Sequence, residues 1–140
     1  MAKKALAFVD SCVLLDVFND DEQWGDWSYK TLNTTSKQYN LVINIIVFTE
    51  IAFNFDSYEQ LEQALHSLRI QVLQMPNQAA FNVSRVFKQY RKNRGTKNTP
   101  MPDFYIGEHA DYLNIPLITR DVARYKTYHP DVKLISPDTC

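Results

Sequence analysis

Short apolar segments alternate with amphipathic ones along the chain, and this alternation restricts the possible folds more than any other feature. Apolar runs that read as strands occupy residues 5–10, 41–43, 69–75, 115–119 and 132–136. Helices are predicted between them, at about 12–18, 24–37, from Asn44 onward, 57–67, 77–93, from Asp103 onward and within 120–126. Strands and helices that alternate in this way form a parallel sheet covered by helices on both faces. The sequence therefore predicts an α/β fold, a three-layer α/β/α sandwich with a central parallel sheet.

One apolar segment allows two interpretations. In residues 41–55, LVINIIVFTEIAFNF, the apolar residues are almost continuous. We predict a strand at 41–43 followed by a helix that begins near Asn44 and carries Glu50. The competing interpretation is one long strand, because the segment has many β-branched residues.

Small polar residues and one proline mark where three helices begin. Ser11 is the expected N-cap of the helix over 12–18. Ser57 is followed three residues later by Gln60, which is the pattern of a capping box. Pro76 can open the next helix, since proline is tolerated at a helix start.

Length and composition define the class of protein. The 140 residues, 45% of them hydrophobic, suit one domain with one core, so a single domain over 1–140 is expected. No run reaches ~18 apolar residues, so no membrane span is predicted. Cys12 and Cys140 share no metal-ligand spacing with another Cys or His, which indicates reduced thiols and a cytoplasmic protein. The net charge of −1 favours no particular partner.

Four of the sixteen acidic residues stand in apolar or helix-start positions, unlike the rest, which lie in polar surroundings. Asp10 ends a strand, and Glu50 lies in the apolar 41–55 segment. Asp103 opens a helix after a Pro-rich loop, and Asp121 follows the strand at 115–119. Loops at the carboxyl ends of parallel strands converge on one edge of the sheet, so these acids can meet there.

Four carboxylates at one place require a cation, because like charges raise one another's pKa. Oxygen ligands without Cys or His suit Mg²⁺ or Mn²⁺ rather than zinc. Three of the four acids also have a structural alternative. Asp103 can cap its helix, Asp121 can fix a turn, and Glu50 can pair with a buried arginine. Asp16, six residues after Asp10, receives no definite role.

Basic residues are concentrated just before Asp103. The chain has no acid between Glu62 and Asp103, and six bases lie within 85–97: Arg85, Lys88, Arg91, Lys92, Arg94 and Lys97. Such a run is either a solvated helix face or a set of phosphate contacts. Because it leads directly to a proposed metal ligand, the residues indicate a polyanion bound near a hard metal. Tyr90, Phe104 and Tyr105 are candidates for stacking on bases, with core packing the alternative for Phe104.

Four stretches, in this order, resemble the PIN-domain family, and within it the VapC-type toxins. They are FVDSCVLLD, VFTEIA, PDFYIGEHADYLNIPLITRD and RYKTYHPDVKLISP, which together cover nearly the whole chain. The resemblance implies an α/β/α nuclease whose Mg²⁺- or Mn²⁺-binding acids are Asp10, Glu50, Asp103 and Asp121. Ser11 and Thr119 match polar positions beside these acids and are expected to support them. Glu108 and Arg124 depart from the pattern of many relatives and leave the number of metals open.

The resemblance also implies an activity and partners. The activity is RNA hydrolysis by a metal-activated water, with Glu50 orienting the metal or the water or acting as base. The partners are an RNA substrate, an antitoxin protein and a second copy of the chain in a homodimer. Trp24 and Trp27 are either an exposed anchor for a partner or half-buried core rings. Two alternatives remain: a PIN-domain nuclease of RNA maturation or decay without an antitoxin, and an inactive PIN-like binding module.

Overall fold

Five parallel strands form one sheet at the centre of the protein, in the order β3-β2-β1-β4-β5. The computed structural model describes residues 4–137. The strands are β1 (Ala5–Val9), β2 (Tyr39–Ile43), β3 (Ile70–Val72), β4 (Leu117–Ile118) and β5 (Leu134–Ile135). The helices are α1 (Ser11–Phe18), α2 (Gly25–Ser36), α3 (Ile45–Ala52), α4 (Tyr58–Ser67), α5 (Asn77–Lys92), α6 (Pro102–Leu113) and α7 (Ala123–Lys126). The predicted α/β architecture, a parallel sheet flanked by helices, is confirmed.

The strand order creates a switch point beside β1. The chain first builds the sheet outward from β1 through β2 to β3, and later adds β4 and β5 on the other side of β1. In the register of the second pairing, Phe8 lies opposite Leu117 and Val9 opposite Ile118. The loops that leave β1 and β4 therefore depart in different directions from neighbouring strand ends. A crevice at such a point is the usual ligand site of an open α/β sheet.

The central strands are buried on both faces, which explains their uninterrupted apolar sequences. Ala7, Phe8 and Val9 of β1 have no exposed surface, and neither do Val42 and Ile43 of β2. A strand that alternated apolar and polar residues would leave polar groups against one of the two helical layers. Asp10 directly follows this apolar run and is also fully buried.

The segment 41–55 is a strand followed by a helix, as the first interpretation predicts, and the alternative of one long strand is wrong. Asn44 ends the extended segment because its side-chain oxygen accepts hydrogen bonds from the N–H groups of Ile46 and Val47, both at 3.1 Å. These bonds satisfy two of the free donors at the start of α3 and outweigh the β propensity of the apolar residues.

The cap of α1 differs from the prediction. Asp10, not Ser11, is the N-cap, and its carboxylate accepts from the backbone N–H of Ser11. Ser57 caps α4 as expected and accepts from the N–H of Gln60 at 3.2 Å. Gln60 in turn accepts from the N–H of Asp56 at 3.3 Å, one residue earlier than in the standard box.

The strands at 69–75, 115–119 and 132–136 are shorter than predicted. A strand lasts only as long as a neighbour offers backbone groups in register, and apolar sequence alone does not extend it. β3 ends at Val72 because its partner β2 ends at the facing Ile43. No helix within residues 4–137 has both the length and the apolar character needed to cross a membrane. Cys12 is a free thiol, and Cys140 lies outside the described residues.

Candidate active site

Asp10 lies at the switch point and is held by donors from both sides of it. One carboxylate oxygen accepts from the N–H of Ser11 at 2.8 Å, and the other accepts from the hydroxyl of Thr119 at 2.8 Å. The backbone N–H of Asp10 donates to the carbonyl of Ile118 at 2.9 Å. β1, β4 and the start of α1 therefore fix the position of this carboxylate, which is 0% exposed.

Thr119 links the end of β4 to Asp10 and to the next loop. Its backbone N–H donates to the carbonyl of Ile135 at 3.0 Å, which ties it to the edge strand β5. Its hydroxyl donates to Asp10 and accepts from the N–H of Asp121 at 3.0 Å. Both hydrogen-bonding roles of the hydroxyl are thus used, as the expected supporting role of Thr119 requires.

Asp121 reaches the same strand end, but as an exposed residue. It contacts this region through its backbone N–H, which donates to the Thr119 hydroxyl. The charges that act most on Glu50 are those of Arg124, Asp10 and Asp103, and those that act most on Asp103 are those of Arg124, His129 and Asp10. Its part as a fourth ligand stays a prediction.

Glu50 projects from α3 toward Asp10 and is half-buried. One of its carboxylate oxygens, Oε1, is buried and accepts no hydrogen bond from any described residue. Burial raises the pKa of Glu50, and the nearby Asp10 and Asp103 add to this rise. A contact from Ser11 and the charge of Arg124 act in the opposite direction. An oxygen buried without a partner is costly and is open to a cation or a proton.

Asp103 enters the site from the first turn of α6, which packs against α3. Its position follows from the sequence, because Pro102 is compatible with the first helical residue and sets the direction of the chain there. The residue is 8% exposed, and burial raises the pKa of its carboxyl group. The positive charge of Arg124 lowers this pKa, and the negative charge of Asp10 raises it. Asp103 is therefore electrostatically coupled to the other two acids.

Arg124, on the short helix α7, is the cation among these acids. Its guanidinium Nη1 lies 3.7 Å from Asp10 Oδ1, and its Nη2 lies 3.9 Å from Glu50 Oε2. The side chain is 25% exposed, so it reaches the acids from the solvent side. We call the side chains of Asp10, Glu50, Asp103 and Arg124 the acidic site.

The sequence marked Arg124 only as a departure from the family pattern. Its position in a helical turn just after a strand end was the available signal, since such turns line the carboxyl edge of the sheet. Cys12 also went unnoticed as a neighbour of the acidic site. Its sulfur lies 3.6 Å from Asp10 Oδ2 and 3.7 Å from Thr119 Oγ1. Burial, and then the charge of Asp10, raise the pKa of this thiol to about 11, so it is neutral and poorly nucleophilic.

The donor atoms of the acidic site suit a hard divalent cation. Three carboxylates with no nitrogen or sulfur ligand are the set that Mg²⁺ and Mn²⁺ prefer. When all three are ionised their charge is −3, and Arg124 contributes +1, which leaves −2. Glu50 Oε1, which is buried and has no hydrogen-bond partner among the described residues, is an oxygen that such a cation could use. As their side chains stand, however, no three His, Cys, Asp or Glu residues within 4–137 form a group that could hold a metal ion.

Asp16 belongs to a separate, closed ion pair. It is buried and accepts from Arg120 Nε at 2.8 Å, from Arg120 Nη2 at 3.1 Å and from the hydroxyl of Ser28 at 2.8 Å. The Arg120 guanidinium also lies over the ring of Trp24. Trp24 and Trp27 are both half-buried and pack edge to face, so the interpretation as half-buried rings fits the structure.

Glu108, the second departure from the family pattern, has a structural partner. It is buried and its Oε2 lies 3.0 Å from Nδ1 of His129. The His129 ring lies so close to Gly107 that a Cβ atom there would come within 2.5 Å of it. A glutamate and a glycine at these two positions therefore accommodate the histidine.

The basic residues divide into two groups. Arg85, Lys88 and Lys92 lie along one exposed side of α5, around a shallow depression that Gln89 and Asn93 also line. We call these three side chains the basic face. Arg91 instead donates to the carbonyls of Gly95, at 3.4 Å, and Lys97, at 2.9 Å. Arg94 and Lys97 are exposed beside it.

The aromatic candidates for base stacking are mostly engaged in packing. Phe104 is 1% exposed and belongs to the interior, as its alternative predicted. The hydroxyl of Tyr90 accepts from the N–H groups of Thr96 and Lys97, both at 3.1 Å, so it helps to fix the loop after α5. Tyr105 is half-buried.

Comparisons with known proteins agree on one family and one fold. A family model described as PIN domain matches residues 7–129. No curated protein sequence matches the chain. Among solved structures, a chain of VapBC2 from Rickettsia felis, bound to a DNA fragment from its promoter, has a TM-score of 0.71 and 18% identity, with 94% of this chain and 98% of that chain covered.

Two further solved structures are also similar to this chain. A chain of VapBC-1 from nontypeable Haemophilus influenzae has a TM-score of 0.71 and 21% identity, covering 94% of this chain and 97% of that one. A chain of FitAcB from Neisseria gonorrhoeae has a TM-score of 0.66 and 19% identity, covering 96% and 100%. At these identities the likeness concerns the fold.

Proposed function

Because this chain belongs to the PIN-domain family, whose members are nucleases, we propose that it is a metal-dependent endoribonuclease and the toxin of a type II toxin–antitoxin pair. The observation that carries the proposal is that two buried carboxylates and a half-buried one, from three different elements, act electrostatically on one another and share the charge of Arg124. Asp10 follows β1, Glu50 lies on α3 and Asp103 on α6. Burying this much negative charge is costly, and a site that binds a cation and a phosphodiester explains why it is there.

The residues of the acidic site have distinct roles in this proposal. Asp10, Asp103 and Glu50 would hold a Mg²⁺ or Mn²⁺ ion, and Asp121 would be the further ligand from the end of β4. The ion, when bound, supplies a Lewis acid for the scissile phosphodiester and a lower pKa for a bound water. Ser11 and Thr119 keep the Asp10 carboxylate in one orientation by their hydrogen bonds. Glu50 orients the ion or the water, or its unpartnered Oε1 accepts the proton of the attacking water.

RNA is the proposed substrate, and the basic face is its proposed phosphate-binding surface. α5 packs against α6, which carries Asp103, so the basic face and the acidic site are on neighbouring helices. Arg85, Lys88, Lys92, Arg94 and Lys97 are exposed and free to contact phosphates, whereas Arg91 is assigned to the loop after α5. Contacts of this kind give affinity that falls steeply with salt concentration.

The proposed partners follow from the structures that this chain resembles. Two of them are VapBC complexes, and the one from Rickettsia felis is bound to a DNA fragment from its promoter. We infer that this protein likewise binds an antitoxin, forms a homodimer and acts in the cytoplasm. The second candidate is a PIN-domain nuclease of RNA maturation or decay, and a small neighbouring antitoxin gene distinguishes the toxin from it.

Cleavage of a structured RNA by the purified protein with Mn²⁺ or Mg²⁺ tests the activity. Asp103→Asn is expected to lower the cleavage rate at least ~100-fold, because it removes a charged oxygen at the reacting centre. Asp111→Asn is the matched control, since Asp111 lies on the same helix but is exposed. If Asp103→Asn and Asp111→Asn both cleave at the parent rate, Asp103 has no part in catalysis. If the parent leaves every RNA intact at all metal concentrations, the nuclease proposal fails.

A further inference from the structure

Arg124 places a positive charge beside Asp10 and Glu50, and its contacts with both carboxylates are long. We propose that Arg124 is a built-in counter-cation that competes with the divalent ion for the acidic site and thereby sets the ion's affinity. The inference rests on the proposed function, since it takes the acidic site as the place where the ion binds. In this inference, Arg124 determines the concentration of divalent ion at which the acidic site becomes occupied.

The geometry of the Arg124 contacts indicates charge neutralisation without hydrogen bonding. Its nitrogen atoms lie 3.7 Å from Asp10 and 3.9 Å from Glu50. Hydrogen bonds of guanidinium to carboxylate are about 2.7–2.9 Å long, so both contacts fall outside that range. The positive charge stabilises the ionised carboxylates, but the guanidinium donates no hydrogen bond to their oxygens.

Arg120, four residues earlier, forms a hydrogen-bonded ion pair and can be compared with Arg124. Its guanidinium forms two hydrogen bonds to Asp16, at 2.8 and 3.1 Å. Bidentate geometry of this kind fixes both partners, and displacing Arg120 from Asp16 would break two hydrogen bonds. Arg120 is therefore structural, whereas the contacts of Arg124 can be broken without losing a hydrogen bond.

A bound ion would repel Arg124, and the side chain has access to solvent into which it can move. A Mg²⁺ or Mn²⁺ ion binds carboxylate oxygens at about 2.0–2.2 Å, and its double charge repels a guanidinium that contacts the same oxygens. The Arg124 side chain is 25% exposed, so it can turn toward solvent when the ion enters. Its neighbour Tyr125 is 0% exposed and anchors α7, which keeps the arginine close enough to return.

The charge of Arg124 also offsets the repulsion between the acids when no ion is bound, since its guanidinium lies within 4 Å of both Asp10 and Glu50. Without the arginine, the acids would repel one another with no positive charge beside them. An ion would then be bound more tightly and would stabilise the protein to a greater extent.

Direct measurement of Mn²⁺ binding tests the inference without reference to catalysis. The free Mn²⁺ signal in electron paramagnetic resonance gives the dissociation constant for the parent, Arg124→Gln, Arg120→Gln and Asp10→Asn. Arg124→Gln is expected to bind Mn²⁺ about 10-fold more tightly than the parent, because a competing charge in contact with the ligands is gone. Arg120→Gln, the matched control, is expected to bind like the parent, and Asp10→Asn to lose binding.

Thermal unfolding with and without Mn²⁺ gives a second readout. Arg124→Gln should have a lower melting temperature than the parent in EDTA and a larger rise on adding Mn²⁺, whereas Arg120→Gln should lose stability equally in both. If Arg124→Gln does not fold, Arg124→Lys, which keeps the charge but loses the fork of donors, should bind Mn²⁺ with at least the parent's affinity.

The failures of the two proposals are distinguishable. If the parent binds Mn²⁺ in an Asp10-dependent way and Arg124→Gln binds it equally or more weakly, the counter-cation role is wrong and the metal site stands. If no variant binds Mn²⁺, both the metal site and the role of Arg124 are wrong. Binding by Arg124→Gln alone would support both.

Discussion

The hydroxyl of Thr119 is a single group on which the position of Asp10 depends, so its removal tests the whole description of the site. Thr119→Val keeps the shape and β-branching of the side chain and removes the oxygen. The substitution removes two hydrogen bonds. One is donated by the hydroxyl to Asp10 Oδ2, at 2.8 Å, and the other is accepted by the hydroxyl from the N–H of Asp121, at 3.0 Å.

The expected cost follows from burial. Thr119 and Asp10 are both 0% exposed, so water cannot replace the lost donor. A hydrogen bond to a charged group contributes about 1.5–3 kcal/mol. The bond from Asp121 adds less, because that residue is exposed and its N–H can bond to water. Thr119→Val should therefore lower the free energy of unfolding by about 2–3 kcal/mol.

Urea denaturation of the metal-free protein measures this cost. Thr119→Ser retains the hydroxyl and is expected to lose only the contribution of a buried methyl group, about 1 kcal/mol. Thr49→Val is the matched control, since Thr49 is exposed beside Glu50 and should change stability by less than about 0.5 kcal/mol. A loss below about 1 kcal/mol for Thr119→Val would mean that this hydroxyl does not hold Asp10 as described.

Two more predictions concern stability. Because burial raises the pKa of Glu50, the folded state binds its proton more tightly than the unfolded state, so this group lowers stability as pH rises above its unfolded value. In EDTA, Glu50→Gln should therefore be more stable than the parent at pH 7, with the difference vanishing at pH 4 and below; a constant difference across urea titrations would contradict this. Gly107→Ala should lower stability by about 1–3 kcal/mol in thermal unfolding, because its Cβ would lie 2.5 Å from the His129 ring. Gly25→Ala, whose Cβ would have 3.4 Å of clearance, should be nearly neutral, and equal losses for the two would refute the steric reason.

The sequence by itself determined the fold class, the order of helices and strands and the helix starts at Asn44 and Ser57. These depend on apolar spacing and on hydrogen bonds between residues a few positions apart, and such information is local. It also placed Asp10 and Asp103 at the edge where ligands bind, because that position follows from strand ends and helix starts in a parallel sheet.

The tertiary structure alone decided which charges meet. Arg124 rather than Asp121 faces the buried acids, Asp16 is closed by Arg120, and Glu108 pairs with His129. Each pairing depends on how two elements pack and on which side chain of a turn points inward. The same local sequence pattern is compatible with the two side chains meeting or staying apart. The free energy of a buried carboxylate depends on the charges around it. The sequence can therefore place an acid near the site, but only tertiary packing determines which positive charge neutralises it.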